Sequence, residues 1–143
     1  NPYCFKSGVA LMPWSPLARG ILAGSYRGSF DEGSTSRSSG QDRKRTEGLY
    51  RGEMDFKIAD RVGEVAERMG KTSAQIALAW LLSKGDHIVP IPGTKRLKYL
   101  EENVAAADIT LTSDEQDTLN RAIAALDVAG DRYTAEGMKG LNA

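Results

Sequence analysis

Ile88-Val89-Pro90-Ile91-Pro92-Gly93-Thr94-Lys95-Arg96, continuing directly into Leu97-Lys98-Tyr99-Leu100-Glu101-Glu102-Asn103, is the stretch that decides the fold. A β-branched run gives way to Pro-Gly, then to a small hydroxyl, two cations and a helical pattern, which is how a strand feeds a helix through a tight turn. Backbone N–H groups at a helix N-terminus lack intrahelical partners and carry partial positive charge. Parallel α/β architectures therefore bind anions where strands end and helices begin. Thr94, Lys95 and Arg96 stand at that mouth, with a phosphate as its natural guest. Taken alone, the segment fits equally a βα turn whose Lys and Arg are simply solvated.

The first twenty residues are built the same way. Residues 1–8 read as the last turn of a helix closing at Gly8. Cys4, with no His or second Cys beside it, reads as a packed small apolar residue rather than a nucleophile. Val9-Ala10-Leu11-Met12 is continuously apolar, so it is expected to be a strand buried on both faces, as in parallel sheets. It runs into Pro13-Trp14-Ser15-Pro16-Leu17-Ala18-Arg19-Gly20, whose prolines stop the ladder. Trp14 and Ser15 are left at the C-terminal end of the strand, the ligand side of such sheets.

Bulk properties narrow the class. The chain has 143 residues, 19 Lys and Arg against 19 Asp and Glu, and 41% hydrophobic residues, enough for one ordinary domain with a core. Neutral charge balance argues against a nucleic-acid partner. The single Cys excludes an intramolecular disulfide framework and fits a reducing compartment, so a cytoplasmic location is expected. No run approaches the roughly 18 apolar residues of a membrane span. Asn1-Pro2-Tyr3 opens no basic and apolar leader pattern, and without an initiator Met it reads as a start inside something larger.

Between the two mouths, residues 25–52 are rich in Gly, Ser, Arg and Asp without apolar period, and are expected to form a mobile surface loop. Arg43-Lys44-Arg45 is offset there by Asp31, Glu32, Asp42 and Glu47, which favours a solvated loop over a polyanion site. Phe56, Ala59, Val62, Val65, Ala66 and Met69 then mark one helical face that Gly70 closes. Thr72 with Gln75 is a capping box opening a helix over 73–83, in which Trp80 is expected in the core. His87, the only histidine, lies at the start of its strand, opposite the ligand mouth, and is not expected to be chemically active. A helix is predicted from Arg96 to about Ala107. Thr112 with Glu115 caps a last one carrying Leu119, Ala122, Ile123 and Leu126, and 130–143 is a tail without period. No repeat and no metal-ligand spacing is visible.

Three segments together resemble the aldo-keto reductase superfamily: Met12 to Gly20, Ile91 to Arg96 with Leu100-Glu101-Glu102-Asn103, and the helix Thr72-Ser73-Ala74-Gln75-Ile76-Ala77-Leu78-Ala79-Trp80. The resemblance covers nearly the whole chain. It implies an α/β fold, namely the C-terminal portion of a (β/α)8 TIM barrel: its last two βα units plus a C-terminal helix, spanning 1–143. It also implies NADPH as cofactor and an aldehyde or ketone as substrate. An aromatic at the Trp14 position would stack under the nicotinamide ring. Ser15, Pro16, Leu17, Arg19 and Gly20 would wrap the pyrophosphate. Gly93, Thr94, Lys95 and Arg96 would meet the 2′-phosphate, and Glu102 and Asn103 the adenine edge. Two cations at that mouth favour NADPH over NADH, which has no 2′-phosphate to neutralise.

The chain also departs from the family. Its Asp, Tyr, Lys and His tetrad comes from earlier strands, and no position here corresponds to any member, so no catalytic residue is assigned. About 250 residues are typical of such a barrel, and an isolated quarter of one would expose strand edges that invite a second copy or a complementary chain. The Gly-Thr-Lys-Arg mouth looks similar to the pyridoxal reductase-like branch. The cofactor-binding β-subunits of potassium channels share this barrel and stand as the other reading, alongside an inactive truncated fragment.

Overall fold

The computed structural model describes residues 2–24, 53–124 and 138–139. The loop expected over 25–52, Leu126 and all of the 130–143 tail except 138–139 lie outside the described residues. Among the described residues the α-helices are, in chain order, α1 (Pro2–Lys6), α2 (Glu53–Met69), α3 (Ser73–Leu82), α4 (Leu97–Val104) and α5 (Ser113–Ala124). Short 3₁₀ turns occupy Ala18–Gly20 and Ala105–Asp108. Among the described residues no helix is long and apolar enough to cross a membrane.

The two expected strands meet as one parallel bridge, Leu11 with Ile88. Leu11 N–H donates to the His87 carbonyl at 2.7 Å, and Val89 N–H donates to the Leu11 carbonyl at 2.9 Å. The parallel direction is as expected, but the extent is not: the pairing is confined to this one bridge. The expectation that 9–12 is buried on both faces is also corrected, since Val9 is 51% and Met12 63% exposed. A continuous apolar strand needs a neighbour on each side and a layer on each face. Among the described residues this one has a single backbone partner, so most of its apolar surface stays open.

The core lies in the helical layer. α2 packs on α3 and α5, while α3 also packs against α4 and the 105–108 turn. α3 is apolar all round, with Ala74 and Ile76 through Ala79 buried, as befits a helix surrounded by others. Val62, Val65 and Ala66 of α2, Ile76 and Ala79 of α3, and Leu119 of α5 form its centre. Trp80 is partly buried against this cluster, as expected for a core residue. Its indole N–H donates to Asn120 Oδ1 at 3.0 Å, and Lys84 Nζ donates to the same oxygen at 2.8 Å, linking α3 to α5. Burial lowers the Lys84 pKa below the usual lysine value, with the ammonium 4.1 Å from the Trp80 ring centroid.

Helix ends follow the sequence signals closely. Gly70, at φ +61°, closes α2 with two bonds, Gly70 N–H to the Glu67 carbonyl and Lys71 N–H to the Ala66 carbonyl, a Schellman pattern. The Thr72–Gln75 capping box forms in both directions. At α5, Glu115 N–H donates to Thr112 Oγ1 and Thr112 N–H to Glu115 Oε2. The helix expected to reach Ala107 ends as α-helix at Val104 and tightens into the 3₁₀ turn. Gly85 at φ +133° leaves no room for a side chain, because a Cβ would stand 2.9 Å from the His87 ring. His87 lies at the N-terminal end of the bridge, its ring 5.5 Å from Phe5, edge to face.

Thr72 has a second bond, from its Oγ1 to Glu102 Oε1 at 2.7 Å, tying α4 to the start of α3. Thr72→Ala removes the cap and this tie together. It is expected to cost about 1–2 kcal/mol of stability, read as a lower urea midpoint with an unchanged slope.

Candidate functional site

Because Leu11 and Ile88 pair in parallel, the chain leaves both residues in the same direction, so the 12–20 and 89–96 segments emerge at one edge. That single fact places the two sequence-predicted mouths together.

The first mouth is a turn held down by apolar side chains. Pro16 and Ile21 are buried, and Leu17 and Leu22 pack against the helical core. Pro16 also lines an apolar cavity of about 80 Å³ between α2, α3 and α5, so its ring faces the helices rather than the mouth. The backbone above these anchors is tightly wound: Ala18 N–H donates to the Ser15 carbonyl at 2.8 Å and Gly20 N–H to the Leu17 carbonyl at 2.9 Å. Ser15, Ala18 and Arg19 take φ of 51°, 48° and 55°, and Gly20 φ of 103°. Left-handed backbone costs an ordinary L-residue about 1–2 kcal/mol; the burial of Pro16 and Ile21 holds it in place. Trp14 is left 61% exposed, and the Arg19 guanidinium lies 5.5 Å from its ring centroid.

The second mouth carries the charge. Lys95 and Arg96 are exposed, and neither forms an ion pair among the described residues. Arg96 is the N-cap of α4 in extended conformation and no side chain caps that helix, which leaves its N-terminal dipole open to an anion. Thr94 Oγ1 accepts from Arg96 N–H at 3.4 Å and donates to the Arg96 carbonyl at 3.2 Å, shaping the turn. Gly93 is exposed beside it, and Asn103 is half-buried on α4.

Glu102, expected at an adenine edge, here accepts the Thr72 hydroxyl. Sequence reasoning missed Thr72: its capping box was legible, but the bond to a residue 30 positions away was not. The left-handed Ala18 also went unseen, since nothing in its residue type announces that conformation.

The sequence model of the Aldo/keto reductase family matches residues 1–124. The chain belongs to the aldo/keto reductase family. It is 35% identical over 132 residues to the aldo-keto reductase yakc [NADP(+)] of Schizosaccharomyces pombe, covering 91% of this chain and 37% of that protein. It is 36% identical over 133 residues to aldo-keto reductase str7 of Strobilurus tenacellus, covering 91% and 38%. Versiconal hemiacetal acetate reductase of Aspergillus parasiticus is 40% identical over 116 residues, or 80% of this chain and 32% of that protein. The chain thus spans little more than a third of these relatives' length.

The strained turn yields a test of its own. Ala18→Gly relieves the left-handed Cβ and is expected to stabilise by up to about 1 kcal/mol, whereas Gly20→Ala should destabilise by about 1 kcal/mol or more. Thermal or urea unfolding of the two variants reads the opposite signs.

Proposed function

We propose that this chain is the cofactor-holding C-terminal portion of a (β/α)8 barrel aldo-keto reductase, which uses NADPH to reduce an aldehyde or ketone to an alcohol. The observation that carries the reading is the parallel Leu11–Ile88 bridge, from which the segments bearing an exposed indole and two cations without an ion pair among the described residues leave in the same direction. Reductase and NADP(+) in the names of relatives support it.

The residues present suit a dinucleotide with an extra phosphate. Arg19 Nε is shut from solvent with no hydrogen-bond partner among the described residues, which leaves a donor for an acceptor on the ligand. Lys95 and Arg96 offer a point charge and a bidentate fork for the 2′-phosphate, beside the open N-terminus of α4. Trp14 would carry the nicotinamide, and the 15–20 turn, with Gly20, the pyrophosphate. Glu102 and Asn103 would lie toward the adenine, with Glu102 held by Thr72. When bound, the nicotinamide supplies the hydride. This chain's residues bind and orient it, while the tetrad that handles the proton belongs to earlier strands of the barrel. A single half-buried Cys4 is in keeping with a reducing, cytoplasmic setting.

Losing a charge-assisted bond to phosphate is worth about 1.5–3 kcal/mol, roughly 10- to 150-fold in affinity. Arg96→Ala in the complete protein is therefore expected to raise the NADPH dissociation constant by about that factor and the NADH constant by less than about twofold. Equal losses for both cofactors would remove the 2′-phosphate assignment. Trp14→Ala should lower turnover at saturating NADPH, and an unchanged kcat would count against the stacking role.

A further inference from the structure

Arg19 does more in this turn than offer a hydrogen bond. Its guanidinium lies 5.5 Å from the Trp14 ring centroid, and no carboxylate among the described residues pairs with it. The charge is permanent. Arg19 sits at φ 55° and ψ 26° between Ala18 and Gly20, in a turn that Pro16 and Ile21 anchor, and burial of its Nε holds the side chain in place. A net cation is therefore held against the most exposed aromatic ring at the mouth.

We propose that Arg19 sets the preference of the Trp14 platform between the two redox forms of the cofactor, favouring the reduced one. This rests on the reading of Trp14 as the nicotinamide platform. The oxidised nicotinamide ring carries a positive charge that the reduced dihydropyridine ring lacks, and the rest of the two molecules is the same. A fixed guanidinium at the platform thus repels the oxidised form selectively. A ring stacked on either face of the indole falls within about one Debye length of Arg19 at physiological salt, so screening leaves part of the interaction standing. The consequence is directional: once the hydride has left, the cofactor becomes a cation beside a cation and departs more readily. A guanidinium engaged only by the pyrophosphate would behave differently, because both redox forms carry that group and both would gain equally.

The test is the ratio of dissociation constants for NADP+ and NADPH, measured on the complete protein by tryptophan quenching and NADPH fluorescence. Arg19→Asn and Arg19→Gln remove the charge, Asn being a residue that tolerates the left-handed backbone, and Arg19→Lys retains it. The neutral variants are expected to lower the NADP+/NADPH ratio by about three- to tenfold, with Arg19→Lys staying near wild type and the difference shrinking in 0.5 M salt. Equal weakening of both forms, with the ratio unmoved, would overturn the proposal and assign Arg19 to the pyrophosphate. A ratio that shifts as much in Arg19→Lys as in Arg19→Gln would overturn it too, by making side-chain shape rather than charge the cause. Wild-type protein that binds neither form would remove the cofactor reading itself, a failure distinct from either of these.

Discussion

Two backbone hydrogen bonds, from Leu11 to His87 and from Val89 to Leu11, set the arrangement on which the rest depends. Parallel pairing leaves no freedom in which ends of the two segments face the same way. Had the segments paired antiparallel, 12–20 and 89–96 would leave the bridge in opposite directions, with Trp14 and Arg96 at opposite edges. The residues between the two segments must then return the chain to the starting edge. Among them, α2 and α3 supply the core that anchors the first mouth through Leu17 and Leu22.

The helical layer and the mouth are coupled by ordinary forces acting through a few side chains. Pro16 lines an apolar cavity among α2, α3 and α5, while Trp14 is 61% exposed with the Arg19 guanidinium 5.5 Å from its ring centroid. Apolar burial therefore stabilises a turn whose backbone is unfavourable, and the strain sits at the place where a ligand would meet the chain. Thr72 does the corresponding service for the second mouth. Its hydroxyl accepts from its own helix and donates to Glu102, so the start of α3 fixes the register of α4.

Charge is distributed in an equally uneven way. Arg61 is satisfied by Glu64 one helical turn away, and Lys84 by Asn120 and the Trp80 face. Arg96 lies 5.9 Å from the Tyr99 ring centroid and Arg19 5.5 Å from that of Trp14, and neither these two nor Lys95 forms an ion pair among the described residues.

Much of this was legible in the residues themselves. Gly70, Thr72 with Gln75 and Thr112 with Glu115 mark helix ends by local chemistry that needs no distant partner, and each formed as read. The βα character of 88–103 and the charge at its mouth were equally local. Other features depend on contacts between remote residues, and no local signal carries those. The extent of the sheet is one: Val9 to Met12 has the composition of a strand buried on both faces, but burial requires neighbours, and among the described residues a single parallel partner leaves it open. The roles of Pro16, turned toward the helices, and of Glu102, held by Thr72, are others. Caps and turns were thus determined by the sequence alone, because their hydrogen bonds close within a few residues. Only the tertiary structure decided that the two mouths meet at one edge, and that Arg19 lies against Trp14, because both follow from how backbone and side chains pack across the fold.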